Sequence, residues 1–151
     1  MPPIKNYTST VAINKSVQHI EDQLIRHGAQ EILKIIEGGK LVGIAFIISV
    51  SGKNIPFRIP ARLDRVEKKL RELIRRPING TLQRVAEQAG KTAWKILSDW
   101  VDIQMTLIDL EQAELAEVFM PFAYDHRTKQ TFFEQVKKAD FCLLIADRSR
   151  D

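Results

Sequence analysis

Between residues 81 and 111 the chain carries an apolar period that only a long helix can satisfy. Leu82, Val85, Ala86, Ala89, Ala93, Ile96, Leu97, Trp100, Ile103 and Leu107 recur at helical spacing. At 1.5 Å per residue this is a rod of about 45 Å. The stripe lies within about 60° of one direction, which is enough to face a core. A second set, Trp94, Val101, Met105 and Ile108, lies roughly 80° to 140° to one side of it. Two stripes need two covers, either two elements of one domain or a second copy of the chain. Aromatic and methionine anchors are enriched at subunit contacts, so Trp94, Val101, Met105 and Ile108 form the candidate homo-oligomer interface.

The 151 residues suit one domain, and a 44% hydrophobic content supplies a core. No run of eighteen apolar residues exists, so no membrane partner is expected. The opening Met1-Pro2-Pro3-Ile4-Lys5 lacks a secretory layout, and the lone Cys142 cannot close an internal disulfide. Both point to a cytoplasmic protein. The formal charge of +4 is distributed unevenly. From Arg58 to Lys95 eleven bases face four acids, a surplus of seven, whereas from Asp99 to Asp125 there are seven acids and no Lys or Arg. Poles of this kind can draw in an anion at one end and pack copies head to tail.

Taken in order, residues 8–13 read as a short strand on their Thr, Val and Ile content. A helix follows, capped by Asn14 or Ser16 and stopped at Gly28, with Val17, Ile20, Leu24 and Ile25 on one face. Residues 31–37 and 40–51 are apolar runs joined by Gly38-Gly39, the pair that a two-residue hairpin turn prefers. Ser51-Gly52 turns the chain again into a third strand of this meander over 55–60. There Pro56 and Pro60 share a face with Arg58 and mark a sheet edge. Residues 61–76 form an amphipathic helix stopped at Pro77. The long helix follows, and then helical segments around Leu115–Phe122 and over 131–138. Residues 141–146 are a strand or a docked tail. The expected architecture is therefore α+β: an antiparallel sheet of about four strands packed on helices. One domain spans 1–139, with its sheet and basic helix over 8–76, its helical part over 81–139, and a tail over 140–151.

No catalytic pattern emerges, so the expected protein is not an enzyme and needs no cofactor. His19 and His27 stand about 80° apart on their helix, His126 lies in a loop, and no zinc spacing occurs, so no metal residues are assigned. Cys142, Trp100, Phe119, Phe122, Phe132 and Phe133 are assigned to buried positions. Asp99, Asp102 and Asp109 are assigned to a solvated helix face. The basic segment is the better candidate. Arg58, Arg62, Arg65, Lys69 and Arg76 flank one side of the amphipathic helix and its neighbouring strand, and arginine suits bidentate contact with phosphate. Tyr7 and Phe57 are the rings placed to stack on bases.

Several phrases, Asn6-Tyr7-Thr8-Ser9-Thr10-Val11, Pro56-Phe57-Arg58-Ile59-Pro60, Ala93-Trp94-Lys95-Ile96-Leu97-Ser98-Asp99-Trp100-Val101 and Phe119-Met120-Pro121-Phe122, resemble small bacteriophage- and prophage-encoded proteins of no established activity. The likeness runs to about Phe133. It implies a mobile-element setting in a bacterial host cell and no catalytic residue. The expected function is binding of nucleic acid, largely independent of sequence, through the arginine-rich surface. The alternative is an oligomeric anti-defence protein that sequesters a small anionic nucleotide or blocks a host defence protein.

Overall fold

The computed structural model describes residues 4–76 and 78–146. It is an α+β fold in the order α1 (Ile13–Arg26), β1 (Ala29–Glu37), β2 (Lys40–Val50), β3 (Lys53–Pro60), α2 (Leu63–Glu72), α3 (Thr81–Asp109), α4 (Leu115–Phe119), β4 (Tyr124–Asp125), β5 (Gln130–Thr131) and α5 (Phe132–Lys138). The expected stop of α2 at Pro77 lies outside the described residues.

The sheet is an antiparallel meander, β1-β2-β3, built on two tight turns. Gly38 and Gly39 have φ of 56° and 75°, the two positive values that a hairpin turn matched to strand twist requires. Alternation on β2 sends Ile44, Phe46 and Ile48 into the core, where Phe57 and Ile59 of β3 join them. The opposite face is half-open, with Leu33 and Ile36 of β1 exposed. β3 lies at a sheet edge, as its prolines require. That edge is met at one point, by a bridge between Phe57 and Ala123.

The strand expected over 8–13 is absent, and of the two alternatives for 141–146 the strand does not form. Residues 8–13 form no strand; a turn precedes α1, whose N-cap is Ala12 with no side-chain bond from Asn14 or Ser16. Long-range hydrogen bonds override the β-propensity of this segment. Thr92 Oγ1 donates to the Asn6 carbonyl at 2.9 Å, and Gln88 Nε2 donates to the Ser9 carbonyl at 3.0 Å. Asn6 Nδ2 donates to Asp99 at 2.9 Å. The segment is thus strapped along α3. Residues 141–146 are likewise no strand: a single 3-10 turn, Cys142–Leu144, leaves Leu143, Leu144, Ile145 and Cys142 exposed. The main sheet therefore has three strands, with β4 and β5 forming a separate two-stranded ribbon.

The long helix is present, and its buried face is not the expected one. Trp94, Val101 and Met105 are fully buried within this one chain, among Val17, Ile20 and Leu24 of α1 and the inner face of the sheet. Trp94 Nε1 donates to the Leu41 carbonyl at 3.1 Å, which ties α3 to β2. These three residues, assigned above to an oligomer interface, are core, and Ile108 is partly buried against them. In exchange Leu82 and Ile103 of the expected core stripe are more than half exposed. The inward direction of the C-terminal half is thus roughly 120° round from the expected one. Small residues explain the rotation. Gly90 and Ser98 flank Trp94 on the inner side, and a Cβ on Gly90 would come within 2.9 Å of the tip of the Ile13 side chain, which would have to shift.

Phe119 of α4 fastens the C-terminal part to this core. It meets Phe46 edge-on at 5.6 Å and Trp100 at 5.7 Å, while Trp100 also meets Phe122 at 5.8 Å. Phe132 and Phe133, expected inside, are 40% and 46% exposed.

Candidate anion-binding groove

β3 and the start of α2 carry the first wall. Arg58 projects from the edge strand with its guanidinium 5.5 Å from the centroid of the Tyr124 ring. It also reaches Glu37 at 3.5 Å. Arg62 is the N-cap of α2 and holds a left-handed backbone, φ 53° and ψ 48°. That conformation costs an L-residue about 1–2 kcal/mol. Arg65, one turn on, is exposed beside it.

The second wall comes from the other end of the chain. β4 and β5 form a short hairpin, Tyr124 pairing with Thr131 and Asp125 with Gln130, and Lys129 of its loop also has positive φ, 57°. Thr131 caps α5: its Oγ1 accepts from the Glu134 amide at 3.2 Å, and Glu134 accepts from the Thr131 amide at 3.2 Å. The capped helix turns Phe133, Lys137 and Lys138 toward Arg62 and Arg65 across a cavity of about 1030 Å³. Six cations line it, Arg58, Arg62, Arg65, Lys129, Lys137 and Lys138, against one carboxylate, Glu134, which is engaged in its own helix cap. Among the described residues, Arg62, Arg65, Lys129, Lys137 and Lys138 form no ion pair. Such a concavity holds a positive potential that low-dielectric walls focus.

Three of the five expected contact residues, Arg58, Arg62 and Arg65, meet here. Lys69 and Arg76 do not line the cavity, and Lys69 is paired with Glu72 at 3.3 Å. Of the expected stacking rings, Phe57 is 2% exposed and packed on Phe46 at 5.3 Å, so it cannot meet a base. Tyr7 is exposed and takes no part in the groove wall. The groove instead offers Phe122, Tyr124 and Phe133. Sequence reading missed Lys129, Lys137, Lys138 and Phe133. The available signal was a Thr-x-x-Glu cap at Thr131 followed by Phe133 and Lys137, four residues apart and so on one helix face.

Of the acids of α3 expected on a solvated face, Asp109 and Asp102 keep about half or more of their side chains exposed while pairing with α1, and Asp99 is three-quarters covered. Asp102 meets His19 at 2.8 Å and accepts from Gln23 at 3.0 Å; Asp109 meets His27 at 2.7 Å. Burial pushes the Asp99 carboxyl up. Hydrogen bonds from Asn6 and Lys95, with the charges of Lys95 and Lys5, outweigh that and hold it below the usual value of 3.8. Asp125 is also lowered, chiefly by the Arg127 backbone amide, which donates to it at 2.8 Å.

Among the described residues, no group of three His, Cys, Asp or Glu could hold a metal ion, and no helix is long and apolar enough to cross a membrane. No known family model, curated protein or solved structure matches the chain.

Proposed function

We propose that this chain binds nucleic acid along the groove between α2 and α5, contacting the phosphate backbone with little regard to base sequence. The observation that carries this reading is the convergence of six cations from two distant parts of the chain on one concavity, five of them without a carboxylate partner among the described residues. The resemblance to phage and prophage proteins suggests a mobile-element setting for such binding. No catalytic role is assigned. Fluorescence anisotropy with labelled single- and double-stranded oligonucleotides tests the reading. Binding should be measurable at 50 mM salt and fall steeply by 200 mM, because each neutralised phosphate releases counterions. Absence of binding to either at 50 mM refutes it.

The cavity volume favours a second reading, since about 1030 Å³ lies near the upper end of the range for small-molecule pockets. In that reading the groove sequesters a small anionic nucleotide, as an anti-defence protein would. It needs no second subunit to complete the site, because both walls belong to one chain. A nucleotide released from the purified protein on denaturation and identified by mass spectrometry would favour it over the first.

A further inference from the structure

We infer that the groove takes a single strand rather than a duplex, with Phe133 as the platform on which a base stacks; this rests on the nucleic-acid reading above. Reading bases in a duplex uses a helix or ribbon inserted in a major groove about 12 Å wide, and a duplex keeps its base faces stacked on one another, out of reach of an aromatic side chain. Here the charges line a concavity that also holds aromatic rings, and a single strand, with its bases unstacked, can offer a base face to such a ring. The rings sit in the same concavity. Tyr124 has the Arg58 guanidinium over its ring and the His126 ring edge-on at 5.2 Å, so it positions Arg58. Phe133 differs. It is 46% exposed although it stands on a structured, capped helix, and its one ring neighbour among the described residues, Phe141, is 6.4 Å away. Such exposure is costly in water and becomes useful when a base covers it.

Lys137 follows Phe133 by four residues, so the ammonium and the ring are neighbours on the α5 face that lines the groove. A base on Phe133 would set the phosphate of its own nucleotide beside Lys137. Arg62 and Arg65 on the opposite wall would receive the next phosphate along the chain. An aromatic platform in a basic groove is the usual chemistry of sequence-tolerant single-strand binding.

The test compares a labelled 20-nucleotide single strand with its duplex at fixed salt, for the parent chain and for Phe133→Ala, Phe133→Leu and Phe133→Trp. The parent should hold the single strand at least tenfold more tightly. Phe133→Ala and Phe133→Leu should weaken single-strand binding about 5- to 150-fold, the range for loss of one stacked base, and leave duplex binding unchanged. Phe133→Trp should retain single-strand affinity. The leucine variant keeps apolar bulk, so its loss would report stacking rather than folding. Equal or tighter binding of the duplex, or equal weakening of both by Phe133→Leu, overturns the single-strand inference and leaves nucleic-acid binding standing. Failure of the parent to bind either oligonucleotide removes both.

Discussion

The double substitution Arg62→Ala, Arg65→Ala separates a groove from a merely basic surface. Of the six groove cations, Arg58 is already engaged with Glu37 at 3.5 Å, which leaves five free to neutralise phosphates. With a slope of about −0.7 per contact for a single strand, affinity should vary with salt as roughly the −3.5 power. Raising salt fourfold, from 50 to 200 mM, then costs the parent about 130-fold in affinity. Removing two contacts brings the slope to about −2.1 and the loss to about 18-fold. The variant should therefore bind about 65-fold more weakly at 50 mM and only about tenfold more weakly at 200 mM, the two lines converging near 1 M. A matched control is Lys69→Ala, Arg71→Ala. It removes the same formal charge from the same helix, from residues already paired with Glu72 at 3.3 Å and Glu67 at 2.7 Å and outside the cavity. Anisotropy titrations at five salt concentrations give both slopes. If the two double variants lose slope equally, the groove has no privileged role and the placement of the site is wrong.

Three further outcomes test the fold and its supports. Trp94→Phe leaves the Leu41 carbonyl without its donor and a void where the indole was, and should lower stability by about 2–4 kcal/mol in urea unfolding. Trp94→Glu should unfold the chain rather than merely dissociate an oligomer. Arg62→Gly relieves the left-handed backbone while adding unfolded-state freedom, so stability should stay within about 1 kcal/mol of the parent as single-strand affinity falls. Asp99 has a lowered pKa when folded, so its contribution is complete above the ordinary value of 3.8 and is lost as pH falls below that value and through the depressed one. The protection factors of residues 6–10, taken against intrinsic exchange at each pH, should fall in that window in the parent, and Asp99→Asn should make them independent of pH there. An unchanged acid response in Asp99→Asn would assign the strap's hold to the Thr92 and Gln88 bonds alone.

What the sequence discloses is what local chemistry determines. Gly38-Gly39 can form little except a tight hairpin, Pro56 and Pro60 can sit only on an edge, and the 3.6 period of α3 is long enough to be unmistakable. The direction of that helix is a different matter. Counting apolar residues equally sends Leu82 and Ile103 inward, whereas the close-packed face around Trp94 is marked by Gly90 and Ser98, which a hydropathy count does not score. Trp94 then looks like an exposed anchor when it is the centre of the core. The groove was half visible for a similar reason. Arg58, Arg62 and Arg65 are adjacent in sequence and share a helix-strand junction. Lys129, Lys137 and Lys138 follow more than sixty residues later, and nothing local says that Phe119 will carry them back to β3. Residues 8–13 misled because their β-propensity is weaker than three side-chain bonds to or from Asn6 and Ser9.

The opposed charge poles of the sequence invite head-to-tail assembly, but the fold uses them unequally. The acidic stretch is largely consumed inside the chain. Asp99 holds the N-terminal strap, Asp102 and Asp109 hold α1 through His19, Gln23 and His27, Glu114 and Glu117 cap α4, and Asp125 closes the β4–β5 loop. Surface pairs of this kind contribute little stability one by one, on the order of 1 kcal/mol or less. Their larger effect is on where potential remains. Carboxylates engaged on the α1 side of α3 are not available to neutralise α2 or α5, whose arginines and lysines face each other across a cavity with a single committed glutamate. A chain with a modest net charge of +4 thereby gathers a local excess of five positive charges in one concavity. That concentration, rather than the overall basicity, is what a phosphate backbone would meet first.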